Sequence, residues 1–197
     1  MTVFVKICGV MDKAALDAAV EAGADAIGFV FHEASPRNLA PRRAAALAGR
    51  LPGGVLAVAV TRHPQLELVN RVLGDFCPDA WQTDAEDFEY IRLPDAMQRW
   101  PVLRDGAIPP AYCDRVVFDA AESGQGRLAN WREAALVARR TELILGGGLD
   151  AGNIAAAIAA VRPFGVDVSS GVETAPGVKD LARIRAFLAA TRADIAA

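Results

Sequence analysis

Cysteine is scarce in this sequence, with three residues, Cys8, Cys77 and Cys113, among 197. Their number is odd and no two form a Cys-x-x-Cys pair, which argues against a disulfide framework and against a zinc site. Histidine is rarer still, and His32 and His63 are too far apart in sequence for a two-histidine metal motif. We therefore expect no metal, and a protein of the reducing cytoplasm.

A basic excess and a long apolar run are absent as well. The formal net charge is -3, which provides no broad positive field to attract a nucleic acid backbone. The N-terminus, from Met1 to Lys6, lacks the basic and apolar regions of a secretion signal, and no apolar run is long enough to span a bilayer. We expect neither nucleic acid nor membrane as a partner, and no export from the cytoplasm.

Short apolar runs of β type alternate along the chain with alanine-rich stretches of helical periodicity. Strands that alternate with helical crossovers form a parallel sheet, and eight of them favour closure into a barrel. The pattern therefore predicts an α/β fold, a single-domain (β/α)₈ barrel over residues 1–197. The predicted strands are Val3 to Cys8, Ala26 to Phe31, Val55 to Val60, Ala80 to Thr83, Pro101 to Arg104, Arg115 to Asp119, Leu143 to Gly146 and Val166 to Ser169.

The clearest helices follow five of these strands. An open doubly wound sheet is the alternative architecture, because periodicity does not distinguish an open sheet from a closed barrel. The strand count favours the barrel. Between Arg104 and Arg115 the adjacent prolines Pro109 and Pro110 prevent a full helix, so we expect a shortened fifth crossover. The predicted helices are Asp12 to Ala22, Arg42 to Arg50, Trp131 to Arg140, Ala151 to Val161 and Leu181 to Thr191.

Glycines and serines end the last two predicted strands. Barrels of this kind carry their active sites at the C-terminal ends of the strands, and phosphate is often bound after strands seven and eight. Backbone N–H groups and hydroxyls there form a cradle for an anion, which predicts a phosphate monoester as ligand. The alternative is that the glycines only make a turn and the serines only cap a helix. The predicted phosphate-binding residues are Gly147, Gly148, Ser169, Ser170 and Gly171.

Two further strand ends carry groups suited to proton transfer. Cys8 ends the first strand, where a thiolate can act as a general base if nearby positive charge, such as Lys6 or the developing iminium of a substrate, lowers its pKa. The alternative is a small buried apolar residue. Asp119 ends the sixth strand, where a carboxyl can act as a general acid or merely cap the next turn. Arg37, after Ser35 and Pro36, is either a carboxylate ligand or a solvated loop residue.

These residues resemble a known family. The segment Lys6-Ile-Cys8-Gly9, the segment from Gly23 to Phe31 and the triplet Ser35-Pro36-Arg37 are similar to the opening of phosphoribosylanthranilate isomerases. The ending agrees, with Gly147-Gly148-Leu149 and the long run from Val161 to Asp180. The resemblance covers most of the chain and implies a (β/α)₈ barrel with a shortened fifth crossover.

The resemblance also implies the reaction, an Amadori rearrangement of N-(5′-phosphoribosyl)anthranilate in tryptophan biosynthesis. The family's general base and general acid fall on Cys8 and Asp119. Arg37 matches the residue that holds the anthranilate carboxylate, Asp167 the residue near the sugar hydroxyls, and Lys6 is expected to contact the substrate too. No cofactor is needed, because the substrate's own iminium accepts the electrons.

The fourth and fifth strands depart from the family pattern. The fourth usually ends in Gln-Leu-His-Gly, whereas this chain has Gln82-Thr83-Asp84-Ala85, and the fifth usually carries a lysine where this chain has Leu103-Arg104-Asp105. Two other functions stay open: a barrel that isomerises an aminoimidazole ribonucleotide with two aspartates, and a silent barrel that only binds a phosphorylated metabolite. Cys8 argues against the first and the Cys8–Asp119 pair against the second. The sequence leaves open whether the protein is a monomer or a homodimer.

Overall fold

Eight parallel strands form a closed barrel in the computed structural model, which describes residues 3–104, 113, 115–120 and 128–193. The strands are β1 Phe4–Cys8, β2 Ala26–Val30, β3 Leu56–Val60, β4 Ala80–Asp84, β5 Gln98–Leu103, β6 Arg115–Phe118, β7 Glu142–Leu145 and β8 Gly165–Val168. They follow chain order around the barrel, and β8 pairs with β1 from Phe4 opposite Gly165 to Ile7 opposite Val168. That pairing closes the sheet, so the predicted barrel is confirmed and the open sheet is excluded.

Most predicted strand ends agree with the structure to within one residue, and β5 differs most. It begins at Gln98, three residues before the predicted Pro101, because its polar start still pairs in register with β4 through the backbone. Strand pairing uses main-chain N–H and C=O groups, so a polar residue such as Gln98 extends a strand that an apolar pattern misses.

Helices cover the outside of the barrel. They are α1 Lys13–Glu21, α2 Pro41–Ala48, α3 Leu66–Asp75, α4 Trp131–Ala138, α5 Ile154–Val161 and α6 Leu181–Ala193. Helix α3 lies outside the predicted set, and α5 begins at Ile154, later than predicted, because the Asp150 side chain folds the preceding residues into a turn. The predicted shortened fifth crossover falls on residues 105–112 and 114, which lie outside the described residues. The predicted domain bounds, 1–197, stay a prediction, because residues 1–2 and 194–197 also lie outside the described residues.

After β8 the chain makes a short excursion before α6. A one-turn helix over Ser170–Val172 leads into the hairpin formed by β9, Glu173–Ala175, and β10, Val178–Lys179. The N–H of Asp180 bonds back to the carbonyl of Val172, and the Asp180 carboxylate then caps the start of α6. This segment, which follows β8, therefore lies at the mouth of the barrel.

Two apolar cores hold the fold together. The larger core lies between the strands and the helix layer, and a smaller one fills the barrel interior around Val58, Trp100, Val117 and Ile144. Close packing of both layers fixes the direction of every strand end. Among the described residues, no helix combines the length and the apolar composition that crossing a membrane requires.

Candidate active site

Side chains along each barrel strand alternate between the helix layer and the interior. In β1, Val5 and Ile7 pack in the outer core, so Lys6 and Cys8 face inward. The same alternation directs polar side chains of other strands into the C-terminal mouth: Gln82 and Asp84 of β4, Asp119 after β6 and Asp167 of β8. Strand periodicity therefore gathers these groups in one place.

A cavity of about 450 Å³ opens at this mouth. Its wall includes five of the residues that the sequence singles out, Cys8, Arg37, Asp119, Asp167 and Ser169. Lys6 is fully buried one inward position deeper than Cys8. The Cys8 thiol and the Asp119 carboxyl thus line the same cavity, which has the size of a typical small-molecule site.

Lys6 and Asp167 form a buried ion pair at the base of the site, with 2.8 Å between Lys6 Nζ and Asp167 Oδ2. Burial opposes the ammonium charge, but the Asp167 carboxylate and Cys8 outweigh it, so the pKa of Lys6 lies above its ordinary value. The second carboxylate oxygen, Asp167 Oδ1, is buried and has no hydrogen-bond partner among the described residues. A ligand hydroxyl at the cavity would satisfy this acceptor.

Burial raises the pKa of the Cys8 thiol, although the Lys6 ammonium acts in the opposite direction. Asp167 neutralises much of the Lys6 charge, and it also disfavours the thiolate directly. Of the two sources of positive charge that the sequence suggests for lowering this pKa, Lys6 is present beside the thiol, but burial and Asp167 outweigh it. A thiolate at Cys8 needs additional positive charge, and a cationic substrate would supply it.

Asp119 makes the capping contact that the sequence offers as one alternative, and it also lines the cavity, while its role as a general acid stays a prediction. Its carboxylate accepts a hydrogen bond from the N–H of Ala120 at 2.8 Å, as a capping residue does, while the half-buried side chain also lines the cavity. Its own N–H bonds to the carbonyl of Leu103, which continues the pairing of β5 with β6. These two backbone contacts therefore fix the position of the Asp119 carboxyl group.

Arg37 lies in a buried network that the sequence did not reveal. Its Nε and Nη2 donate to the two carboxylate oxygens of Glu173 at 2.8 and 2.7 Å. Lys179 donates to Glu173 Oε1 at 2.8 Å and to the Ser169 carbonyl at 3.0 Å, and the Ser169 hydroxyl donates to the Cys8 carbonyl. This chain of contacts ties the loop after β2 to the loop after β8, so Arg37 is neither a solvated residue nor a purely ligand-facing one.

Glycine geometry brings the two predicted phosphate-binding segments together. Gly147 and Gly148 have φ of 81° and 64°, the left-handed region that favours glycine. A Cβ at Gly171 would stand 1.9 Å from the Leu149 carbonyl oxygen, so only glycine permits this approach of the loop after β8 to the loop after β7. Ser170 begins the one-turn helix that follows. The loops after β7 and β8 therefore lie next to each other, as predicted.

The polar cavity residues that were not among the predicted site residues include Arg62 after β3, Gln82 and Asp84 of β4, and Arg104 after β5. The signal that identifies them is period-two alternation, since Val58, Val60 and Arg62 share a face, as do Ala80, Gln82 and Asp84. Among them, Asp84 and Arg104 lie in the two segments that depart from the family pattern.

Fold and site together define a (β/α)₈-barrel enzyme with its active site at the C-terminal ends of the strands. The sequence model of the N-(5′-phosphoribosyl)anthranilate (PRA) isomerase family matches residues 5–190. The chain therefore belongs to this family, and it is an isomerase.

Relatives and solved structures agree with this assignment. The chain is 40% identical over 194 residues to the N-(5′-phosphoribosyl)anthranilate isomerase of Pelobacter propionicus, covering 93% of each protein, and 39% identical to that of Geotalea uraniireducens, covering 93% of this chain and 96% of the relative. TrpF from Jonesia denitrificans superimposes with a TM-score of 0.81 at 35% identity, covering 96% of this chain and 97% of that one.

A second solved relative holds a ligand. It is a phosphoribosyl anthranilate isomerase in complex with reduced 1-(o-carboxyphenylamino)-1-deoxyribulose 5-phosphate, with a TM-score of 0.81, 29% identity, and coverage of 96% of this chain and 98% of that chain. A third solved relative consists of monomers generated from the dimeric phosphoribosylanthranilate isomerase of Thermotoga maritima. The oligomeric state of the present chain, monomer or homodimer, stays a prediction.

Proposed function

We propose that this chain converts N-(5′-phosphoribosyl)anthranilate into 1-(2-carboxyphenylamino)-1-deoxyribulose 5-phosphate in tryptophan biosynthesis, with Asp119 as general acid and Cys8 as general base. The observation that carries the proposal is that both groups line one cavity, from the inward faces of β1 and the end of β6. Strands one and six lie well apart around the barrel, so the two groups address a bound sugar from different directions.

Binding of the phosphate is the anchoring step. The N–H groups of Gly147, Gly148 and Gly171 and the hydroxyl of Ser170 are the donors that we assign to it. The Ser169 hydroxyl donates to the Cys8 carbonyl in this structure, so it would join them only after rotating toward the phosphate. Supporting this assignment, the loops after β7 and β8 contact each other through Gly171. An anchored phosphate holds the sugar in place, so that the two proton-transfer groups act on a fixed target.

Ring opening comes first in the proposed reaction. Asp119 donates its proton to the furanose ring oxygen while the bond from C1′ to that oxygen breaks, and the nitrogen lone pair forms a C1′=N double bond. The product is a cationic Schiff base. Because its charge develops above a buried thiol whose pKa is raised by burial, the Schiff base itself favours the thiolate.

Proton removal completes the exchange. As the Schiff base forms, the Cys8 thiol gives up its proton to solvent. The thiolate then takes the C2′ proton, and the electron pair moves to C1′ and nitrogen to give an enolamine that tautomerises to the ketone. C1′ is reduced and C2′ oxidised, so the rearrangement balances without an external oxidant or reductant. Lys6 holds Asp167, whose Oδ1 has no hydrogen-bond partner among the described residues and suits a sugar hydroxyl. Arg37 is the predicted ligand of the anthranilate carboxylate.

The test follows the loss of phosphoribosylanthranilate fluorescence. Cys8→Ser and Asp119→Asn are each expected to lower kcat by about 10²-fold or more, as removal of a general base or acid does. Cys77→Ser, at an exposed cysteine away from the cavity, is the matched control and should retain full activity. Near-normal turnover by either site variant would remove that residue from the mechanism, and turnover of an aminoimidazole ribonucleotide instead would replace the proposed substrate.

A further inference from the structure

Lys179 of β10 is a buried lysine that the proposed proton transfers do not use. Its side chain is 1% exposed, and its Nζ has three acceptors: Glu173 Oε1 at 2.8 Å, the Ser169 carbonyl at 3.0 Å and the Ser169 hydroxyl at 3.3 Å. An ammonium group has three N–H donors and a neutral amine has two, so this set of acceptors suits the charged form. Lys179 therefore brings a buried positive charge to the loop after β8.

The Ser169 hydroxyl links this ammonium group to β1. It accepts a hydrogen bond from Lys179 Nζ and donates one to the Cys8 carbonyl at 3.1 Å. The register of β1 with β8 ends at Ile7 opposite Val168, so the Ser169 side chain continues the contact between the two strands by one residue. A chain of hydrogen bonds thus runs from the ammonium group to the backbone of the residue that carries the thiol.

The ionisable groups around the thiol come from several elements of the barrel mouth. They are Lys6 of β1, Arg37 after β2, Asp119 after β6, Asp167 of β8, Glu173 of β9 and Lys179 of β10. Lys6 donates to Asp167 at 2.8 Å, so that carboxylate offsets much of the Lys6 charge. Glu173 is shared by two cations, because Arg37 donates to both of its oxygens and Lys179 to one. Glu173 therefore offsets only part of the Lys179 charge.

The charge of Lys179 acts on the thiol in the direction that the reaction needs. Burial and Asp167 raise the pKa of Cys8, whereas the Lys6 and Lys179 ammonium groups lower it. In return, burial lowers the pKa of Lys179, and an ionised Cys8 opposes that effect. The two side chains therefore favour each other's charged forms, and Lys179 supplies part of the positive charge that the Schiff base completes.

We infer that Lys179 is a positioning residue for Cys8: it holds Ser169 against the Cys8 backbone and places a permanent positive charge near the thiol. The inference rests on the proposed function and deepens it, because the general base then has a charged neighbour that is present before the substrate binds. Lys179 acts through Ser169 and through its charge, without contact with the reacting atoms.

The experiment measures the rate at which iodoacetamide alkylates Cys8 at pH 8 in the unliganded protein. Peptide mass spectrometry separates Cys8 from the other free cysteines, Cys77 and Cys113. Because the thiolate is the reactive form, the rate reports the ionised fraction of the thiol. This measurement needs no turnover, so it is independent of the proposed reaction.

Lys179→Met removes the charge, while Glu173 keeps both hydrogen bonds from Arg37. Alkylation of Cys8 should slow about tenfold, and kcat should fall by a similar factor with KM little changed, because a charge near the thiol is lost. Lys179→Arg keeps the charge and should be alkylated at close to the wild-type rate. Should Lys179→Met fail to fold, Lys179→Gln, which retains an N–H donor without the charge, decides instead.

Gly177→Ala is the matched control for the structure of the hairpin. Gly177 has φ of 84°, and a Cβ there would stand 2.6 Å from the Pro36 carbonyl oxygen, so alanine strains the hairpin without changing a charge. This variant should lose stability and keep the wild-type alkylation rate of Cys8. Equal slowing in Gly177→Ala and Lys179→Met would show that the hairpin geometry controls the thiol, and would overturn the inference.

The outcomes separate this inference from the proposed function. Unchanged alkylation in Lys179→Met, including the case in which only KM rises, overturns the inference, while wild-type turnover of phosphoribosylanthranilate leaves the proposed function standing. Slower alkylation with unchanged kcat supports the effect of Lys179 on the thiol and removes Cys8 from the mechanism. Absence of turnover in the wild-type protein overturns the proposed function, and the alkylation rates still decide how Lys179 acts on Cys8.

Discussion

At the scale of single residues, Gly28 shows how a small side chain makes room for chemistry. It lies in β2, next to Cys8 in the strand pairing of β1 with β2. A Cβ placed there would stand 2.9 Å from Cys8 Sγ, a distance that real Cβ atoms essentially never show, and 3.0 Å from Lys6 Cε, which is also tighter than most Cβ contacts. The glycine is required by the two inward side chains beside it, since its own backbone dihedrals are those of an ordinary strand.

Gly28→Ala is expected to lower kcat/KM by about 10²-fold, because displacing the thiol by a fraction of an ångström to 1 Å disturbs proton transfer. The added methyl group should also cost about 1–3 kcal/mol of stability, the usual effect of overpacking. Turnover assays and urea unfolding measure the two effects. The matched control is Gly74→Ala in α3, where a Cβ meets nothing within 4 Å and the change should stabilise the helix slightly. Full activity of Gly28→Ala would contradict the crowding argument.

At the scale of elements, the hairpin of β9 and β10 is attached to the barrel mouth by buried charges. Glu173 accepts hydrogen bonds from Arg37 of the loop after β2 and from Lys179 of β10. Burial opposes the carboxylate charge, but these two cations outweigh it and hold the pKa of Glu173 below its ordinary value. The same burial lowers the pKa of Lys179. The hairpin is therefore stabilised by a network that depends on one ionised carboxylate.

Glu173→Gln is expected to destabilise the protein by about 3 kcal/mol at neutral pH, because it leaves two buried cations without their shared partner. The folded-state pKa of Glu173 is depressed, so its contribution is present above the ordinary value of 4.5 and disappears as the pH falls through the folded-state pKa. The wild-type and variant stabilities should therefore converge in acid.

Urea unfolding at a series of pH values from neutral to 3 measures this convergence. Glu21→Gln is the control, because Glu21 is an exposed residue whose pairing with Arg185 spans 3.7 Å at the surface. A difference between wild type and Glu173→Gln that stays constant down to pH 3 would show that the network is not stabilised through the ionised form.

At the scale of the whole molecule, the two ends of the barrel have separate tasks. The C-terminal mouth holds the site, whereas the N-terminal end is closed by Arg115 against three aromatic rings. Its guanidinium carbon lies 4.2 Å from the Phe164 ring centroid, 5.2 Å from that of Phe4 and 5.4 Å from that of Trp100. Nε and Nη2 also bond to the Glu142 carboxylate at 3.0 and 2.8 Å. A planar cation thus seals the end away from the active site.

Arg115→Lys is expected to lower stability by about 1–2 kcal/mol and to leave kcat and KM unchanged, because an ammonium cannot stack on the rings and bond to Glu142 at once. Thermal unfolding and turnover assays measure the two quantities. Arg139→Lys, at the exposed end of α4, is the control that should alter neither. Lost activity with unchanged stability would show that the two ends of the barrel are coupled.

Much of this molecule follows from the sequence by itself. Eight apolar runs separated by helical segments predict a parallel sheet with both faces buried, and the number of strands favours its closure into a barrel. The end of each run then places Cys8, Asp119 and Asp167 at a common mouth. These conclusions need only local periodicity, the number of strands and the rule that parallel strands end at the same edge.

Only the tertiary structure determines the ion pairs and the pKa shifts of the site residues. Asp84 meets Arg104, and Arg37 meets Glu173, through contacts between residues far apart in the chain. The raised pKa of Cys8 arises in the same way, since burial and Asp167 act on it from outside its own strand. Strand periodicity fixes which way a side chain points, but a charge responds to whichever groups surround it in space. Only the closed barrel sets those neighbours.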